Sequence, residues 1–269
     1  MLTVALAAAA KTPKRLLILH TNDTHSTVMP LNKNLADKTK ADRGGFLRRE
    51  VMVADERQKD PELLLFDSGD FSQGSAYYSL YKGDVEVELM NRMGYDAATI
   101  GNHEFDFGMD NMARLFRMAK FPIVCANYDF TGTPCEGLVK PYVVLKRKGV
   151  RIGVFGLAPM LEGLVSPHNC TGVKYLDPGE TARRMVDVLR KKEKVDVVVC
   201  LSHLGWDSTP QSDGEMLRAA SGIDLVLGGH SHTYMEQMEY VADKSGRKVP
   251  VDQNGKHGIW IGRLEVVVK

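Results

Sequence analysis

The stretch Ile100-Gly101-Asn102-His103-Glu104-Phe105-Asp106-Phe107-Gly108 sets an amide, an imidazole and two carboxylates close together between glycines. Nothing in it has helical spacing. The apolar residues Ala97, Ala98 and Ile100 read as a buried strand, and Gly101 permits a sharp exit and a close approach of the backbone to an ion or ligand. Four other stretches repeat the design. Leu16–Leu19 runs into His20-Thr21-Asn22-Asp23-Thr24-His25, and Leu63–Phe66 into Asp67-Ser68-Gly69-Asp70. Val195–Leu201 ends at His203, and Ile223–Leu227 at Gly228-Gly229-His230-Ser231-His232. Each apolar run suits a strand buried on both faces, and each delivers an oxygen or nitrogen donor just past its end. In Asp23/His25 and His230/His232 the donors stand two apart, which turns both the same way in extended backbone. Carboxylate, imidazole and amide without thiolate suit divalent ions such as Zn, Mn, Fe, Co or Mg rather than soft ions.

In this order, Asp-x-His, Gly-Asp, Gly-Asn-His-Glu, a lone His and Gly-His-x-His resemble the calcineurin-like metallophosphoesterases. The wording of His20 to His25, of Asp67-Ser68-Gly69-Asp70-Phe71-Ser72-Gln73-Gly74 and of Gly101 to Gly108 is similar to the 5′-nucleotidase branch. That branch includes periplasmic UDP-sugar hydrolases and 2′,3′-cyclic phosphodiesterases. The resemblance runs from about Lys14 onward and covers the family's N-terminal metallophosphatase domain. It implies that Asp23, His25, Asp70 and His232 hold one divalent metal ion, and that Asp70, Asn102, His203 and His230 hold a second. Seven donors exceed one tetrahedral site and fit two ions about 3.5–4 Å apart, with Asp70 as the bridge. The resemblance also implies a catalytic His103-Asp106 dyad, with Asn102 and His103 touching substrate. In such a site the ions activate water for attack on phosphorus and the dyad stabilises or protonates the leaving group.

The expected function is two-metal hydrolysis of phosphate esters, with 5′-nucleotides first. A 2′,3′-cyclic-nucleotide phosphodiesterase, a UDP-sugar hydrolase and a general phosphatase are the alternatives within the enzyme class. A non-catalytic metal-binding subunit of a split nucleotidase is the alternative outside it. The intact His103-Asp106 pair favours an enzyme. In the family a further C-terminal domain grips the nucleoside, so a separately encoded nucleotide-binding partner is expected beside the small-molecule substrate.

The elements that must position these residues follow from periodicity. The segment from Arg43 to Glu56, with apolar positions 46, 47, 51, 53 and 54, suits an amphipathic helix. Val85–Met93 reads as a helix closed by Gly94, and Met109–Lys120 as a helix ended by Phe121-Pro122. Helices are also expected over Glu180–Lys192 and Gly214–Ser221. Ile123–Asn127 reads as a strand, Tyr142–Lys146 and Val150–Leu157 as a hairpin turning at Lys148-Gly149, and Gly258–Val268 as late edge strands. Strands alternating with helices, then hairpins, argue for α/β architecture with two packed mixed sheets and helices outside. The resemblance implies the same four-layer α/β/β/α sandwich, with its metal site at the C-terminal ends of the strands.

The 269 residues carry a net charge of +1, so no bulk charge points to a nucleic-acid polymer or an acidic membrane surface. No apolar run reaches the roughly 18–20 residues that span a bilayer. Leu2 to Ala10 is apolar and rich in small residues, and Lys11-Thr12-Pro13-Lys14-Arg15 follows it. It reads as the back half of a secretory signal with Ala8-x-Ala10 as cleavage site, or as a plain alanine tail. Residues 1–12 are therefore expected to be a leader and 13–269 the metallophosphoesterase domain, in a periplasmic or otherwise exported protein. Cys125 and Cys135 are candidates for a bridge in an oxidising compartment. His20 is expected to pack behind the donors, His168 and His257 to lie in solvent, and Asn127 is a candidate phosphate contact. Trp206 fits either the pocket wall or a packed edge.

Overall fold

The computed structural model describes residues 12–207 and 211–268. The expected leader falls almost wholly outside them. In chain order the elements are β1 (Lys14–Thr21), α1 (Phe46–Lys59), β2 (Leu64–Asp67), α2 (Ala76–Tyr81), α3 (Asp84–Met93) and β3 (Ala97–Ala98). There follow α4 (Gly108–Met118), β4 (Ile123–Val124), β5 (Tyr128–Asp129), β6 (Val139–Lys140), β7 (Tyr142–Arg147), β8 (Val150–Leu157) and β9 (Lys174–Tyr175). The chain continues through α5 (Pro178–Asp187), β10 (Val197–Ser202), α6 (Asp213–Ala219), β11 (Leu225–Leu227), β12 (Glu239–Ala242), β13 (Lys248–Asp252) and β14 (Gly262–Val268).

Two six-stranded sheets carry the fold, in the orders β14-β1-β2-β3-β4-β6 and β12-β13-β11-β10-β8-β7. The strands that precede donors, β1, β2 and β3 in one sheet and β10 and β11 in the other, run parallel to their neighbours in that set. Their C-terminal ends therefore share one rim. Leu16, Ile18, Leu64 and Phe66 meet Ile152, Val154, Val197 and Val199 in an apolar layer between the sheets. A second layer, with Val53, Val87, Met90, Met112 and Phe116, joins α1, α3 and α4 to the first sheet. A third, with Ala182, Met185, Met216 and Leu217, joins α5 and α6 to the second. Three apolar interfaces between four layers give the α/β/β/α sandwich. Both faces of the central strands are covered, which is why their sequences run apolar without alternation.

Local signals explain the element ends. Gly94 ends α3 in left-handed backbone and donates to the Met90 carbonyl at 3.1 Å, a glycine closure. Lys148 and Gly149 both take positive φ in the β7–β8 turn, as a tight two-residue hairpin requires. Several elements differ from the periodic reading. Helix α2 is capped by the Ser75 hydroxyl and was too short to show a period. The Ile123 strand ends at Val124, β14 begins only at Gly262, and the edge hairpin β12–β13 was unread. The four cysteines are unpaired. Among the described residues no helix is long and apolar enough to cross a membrane.

Candidate metal centre

At the shared rim the donors of five separate segments converge. His25 Nε2 lies 3.0 Å from His232 Nε2 and 3.8 Å from Asp23 Oδ1, and His232 Nε2 lies 3.3 Å from the same oxygen. On the other side, His203 Nε2 stands 3.1 Å from Asp70 Oδ2, and the His203 and His230 rings are 5.2 Å apart. Asp23, His25 and His232 form one group able to hold an ion, and Asp70, His203 and His230 form another. A third group, His25, Asp70 and His103, shares His25 with the first and Asp70 with the second. Asn102 precedes His103, whose amide donates to Asp70 Oδ1 at 2.9 Å, and its own Oδ1 is buried without a hydrogen-bond partner. Asp23, Asp70 and His203 are all but inaccessible, whereas the His103 and His232 side chains are about a third exposed. The cluster is thus buried below and open at one mouth.

The donor set fits divalent cations. Buried polar atoms are normally paired, yet Asn102 Oδ1 and His203 Nε2 have no partner in hydrogen-bond geometry. Asp70 shows how the charges are balanced. Burial alone would raise its carboxyl, but His203, His25 and His103 outweigh burial and hold it well below the usual range. Burial likewise opposes a charge on His203, and Asp70 and Asp23 overcome it and lift the imidazole to about 10. The stabilisation of positive charge is local to the carboxylates, for burial lowers His25 and lowers His230 to about 4, which keeps those two imidazoles neutral. A metal cation beside Asp70 and Asp23 would take the place of the His203 proton, and neutral imidazoles are the form that binds a metal.

The backbone is bent to build this cluster. Asp23, His25, Asp70, His230 and His232 all have φ between 44° and 72°, a region non-glycine residues rarely enter. Such conformations cluster where function requires them. Gly101 is needed for its lack of a side chain. A Cβ there would sit 2.1 Å from Asp70 Oδ1 and 2.7 Å from His203 Nε2.

Glu104, absent from the expected set, ties the loops together. Its Oε2 accepts from the Gly101 amide at 2.7 Å and the Asp70 amide at 3.0 Å, and its Oε1 from the Ser72 amide at 3.1 Å. One buried carboxylate thereby aligns the loop after β2 with the loop after β3. Burial and the nearby Asp70 raise Glu104 to about 7, against those amides. His103 faces Asp106, with Nδ1 3.0 Å from Oδ2. That bond is the main cause of a raised His103 pKa, with burial opposing it. The Asn169 amide fixes the Asp106 carbonyl at 2.9 Å.

The other candidates divide. His20 is fully buried, 2.9 Å from Asp252 Oδ2 and 3.0 Å from Asn254 Nδ2, as a packed histidine should be. His168 is exposed. His257, read as a solvent residue, is instead half-buried with its ring centroid 5.9 Å from that of His25. Burial, with His25 next, lowers its pKa to about 4. Asn127 is no phosphate contact. It is fully buried and bonded in both directions to the Ala158 backbone. Trp206 packs against the apolar layer under α5 and α6.

Comparison with known proteins agrees with this geometry. The chain is 32% identical to a 5′-nucleotidase of Bos taurus over 97% of its own length and 48% of that protein. It is 30% identical to the trifunctional nucleotide phosphoesterase protein YfkN of Bacillus subtilis, over 93% of this chain and 18% of that one. A 5′-nucleotidase precursor from Thermus thermophilus superposes with a TM-score of 0.84 at 31% identity, covering 94% of this chain and 51% of that one. The chain therefore spans about half the length of the 5′-nucleotidases it matches. Residues 16–234, most of the chain and all seven candidate donors, match the calcineurin-like phosphoesterase family. The chain belongs to that family.

Proposed function

We propose that this protein hydrolyses phosphate esters with two divalent cations, and that 5′-nucleotides are its principal substrates. The observation that carries the reading is the meeting of two cation-competent groups, linked by His25 and Asp70, with the His103–Asp106 pair beside them. Asp23, His25, Asp70 and His232 hold one ion, and Asp70, Asn102, His203 and His230 hold the other. Cations held there supply Lewis-acid charge for a phosphoryl group and lower the pKa of water. The protein's residues do the rest. Asp70 would take part in holding both ions, and Glu104 keeps the Asp70 and Asn102 loops in register. Asn102 and His103 meet the phosphate ester. The Asp106 carboxylate accepts from His103 Nδ1–H and favours the doubly protonated imidazolium, whose Nε2–H then gives its proton to the leaving oxygen as the ester bond breaks.

The nucleotide preference rests on similarity to proteins named 5′-nucleotidases. A broader nucleotide phosphoesterase is the second reading, favoured by the similarity to the trifunctional enzyme. A separately encoded nucleotide-binding partner and an exported location, with residues 1–12 as leader and 13–269 as the catalytic domain, complete the proposal. The test is kcat/KM for AMP, GMP, UMP, 2′,3′-cyclic AMP, UDP-glucose and p-nitrophenyl phosphate on protein loaded with Mn, Zn, Co or Mg. AMP, GMP and UMP should lead the panel. Protein that binds metal yet hydrolyses none of these would be a metal-binding subunit without catalysis.

A further inference from the structure

The turn from Asn254 to Gly258 lies against the donor cluster, and none of the motifs that mark the other segments reaches it. It is stapled there three times. The Asn254 amide donates to Asn22 Oδ1 at 2.9 Å, Asn22 Nδ2 donates to the Gly255 carbonyl at 2.8 Å, and the His257 amide donates to the Asp23 carbonyl at 2.7 Å. His257 projects from this turn beside His25, and its φ is +64°. Five of the seven donors share that left-handed backbone. Other residues take it too, Lys148 in the hairpin and Lys82 at the end of α2 among them, so the backbone of His257 gains meaning only from its place beside the donors. A glycine would adopt this φ without strain, and the turn already has glycines at 255 and 258. An imidazole held in strained backbone at a rim of imidazoles points to a role for the side chain.

The bonding decides which role. The Thr27 hydroxyl donates to the His25 carbonyl at 3.4 Å and lies 3.3 Å from His257 Nδ1. With its proton so placed, Thr27 accepts from His257 Nδ1–H. Nε2 then carries a lone pair and accepts hydrogen bonds. A lone pair does not attract a phosphate dianion. It suits a hydroxyl on the leaving alcohol.

Resting on the phosphate-ester reading above, we propose that His257 is a further substrate-binding residue, accepting a hydrogen bond from a sugar hydroxyl of the leaving group. The site would thereby favour phosphate esters of polyhydroxylated alcohols over esters that lack such a hydroxyl.

The test compares wild type, His257→Gly and His257→Gln in the metal-loaded full chain. The substrates are AMP, 2′,3′-dideoxyadenosine 5′-monophosphate and p-nitrophenyl phosphate. Metal content and melting temperature are measured alongside. Glycine should lower kcat/KM for AMP roughly 3- to 10-fold, the worth of one neutral hydrogen bond. It should leave the other two esters within about twofold and metal content unchanged, with an equal or higher melting temperature. Glutamine, which keeps an acceptor, should restore part of the AMP rate. An equal loss on all three substrates, no loss on any, or a fall in bound metal overturns the proposal while the phosphate-ester reading stands. Metal-loaded wild type that hydrolyses none of the three overturns that reading and this proposal together.

Discussion

His25 Nε2 and His232 Nε2 face one another at 3.0 Å, although 207 positions separate the two residues. Two ring nitrogens approach so closely when they share a proton or a cation, and Asp23 beside them adds negative charge for either. The cation reading predicts about two divalent ions per chain. Replacing the shared ligand, Asp70→Asn, should weaken binding at both positions, because an amide supplies one neutral oxygen where a carboxylate supplied two charged ones. Elemental analysis after Mn or Zn loading checks this, and a stoichiometry of one would sink the two-ion arrangement.

His103 stands outside both proposed ligand sets, with its ring 5.4 Å from that of His25. His103→Ala should cut kcat by roughly 10²–10⁴ and leave metal content unchanged. Loss of metal together with activity would make His103 a ligand instead.

Gly101 tests how tightly the centre is built. Gly101→Ala would place a methyl 2.1 Å from Asp70 Oδ1, and neither fixed loop can yield without moving a donor. The expected outcome is loss of most bound metal and a destabilisation of about 1–3 kcal/mol. An alanine variant with full metal content and an unchanged melting curve would show that the loops are looser than their packing implies.

Glu104 should behave as an organiser of the two loops. Glu104→Gln keeps the shape but turns one acceptor into a donor facing an amide. It should lower metal affinity roughly 10- to 100-fold, as loss of a residue that orients ligands does. Glu104→Ala should in addition destabilise the fold by at least ~1–3 kcal/mol through unpaired buried amides. Metal competition against a chelator and denaturant melts separate the two effects, and unchanged affinity in the glutamine variant would remove Glu104 from the centre.

The seven candidate donors stand out along the chain because each follows a run such as Leu16–Leu19 or Val197–Leu201, apolar enough to announce a doubly covered strand. Parallel strands end on one rim, so residues just past their ends must meet. The hairpin at Lys148-Gly149 and the closure at Gly94 were legible for the same kind of reason, since a positive φ has a local signature. The short elements were not. β12 has mostly exposed residues without alternation, and α2 spans six residues, fewer than two turns. Asn127 had the right type beside a strand but turned inward, because the nearby Ala158 backbone needed both its amide and its carbonyl satisfied.

Burial and partnership across the chain belong to the tertiary structure. That Glu104 holds three amides from two loops depends on the distance between those loops, which no local pattern encodes. His257 lies between Lys256 and Gly258, a context that reads as solvent-exposed. It comes to His25 because β14 pairs antiparallel with β1 and the turn before it bonds to Asn22 and Asp23. Donor types and their order along the chain are local chemistry, and 269 residues of sequence carry them in full. Which imidazole stands beside which is set by the packing of one sheet on the other, which brings His25 after β1 to His232 after β11, and by the pairing of β14 with β1 behind His257; both exist only in the folded chain.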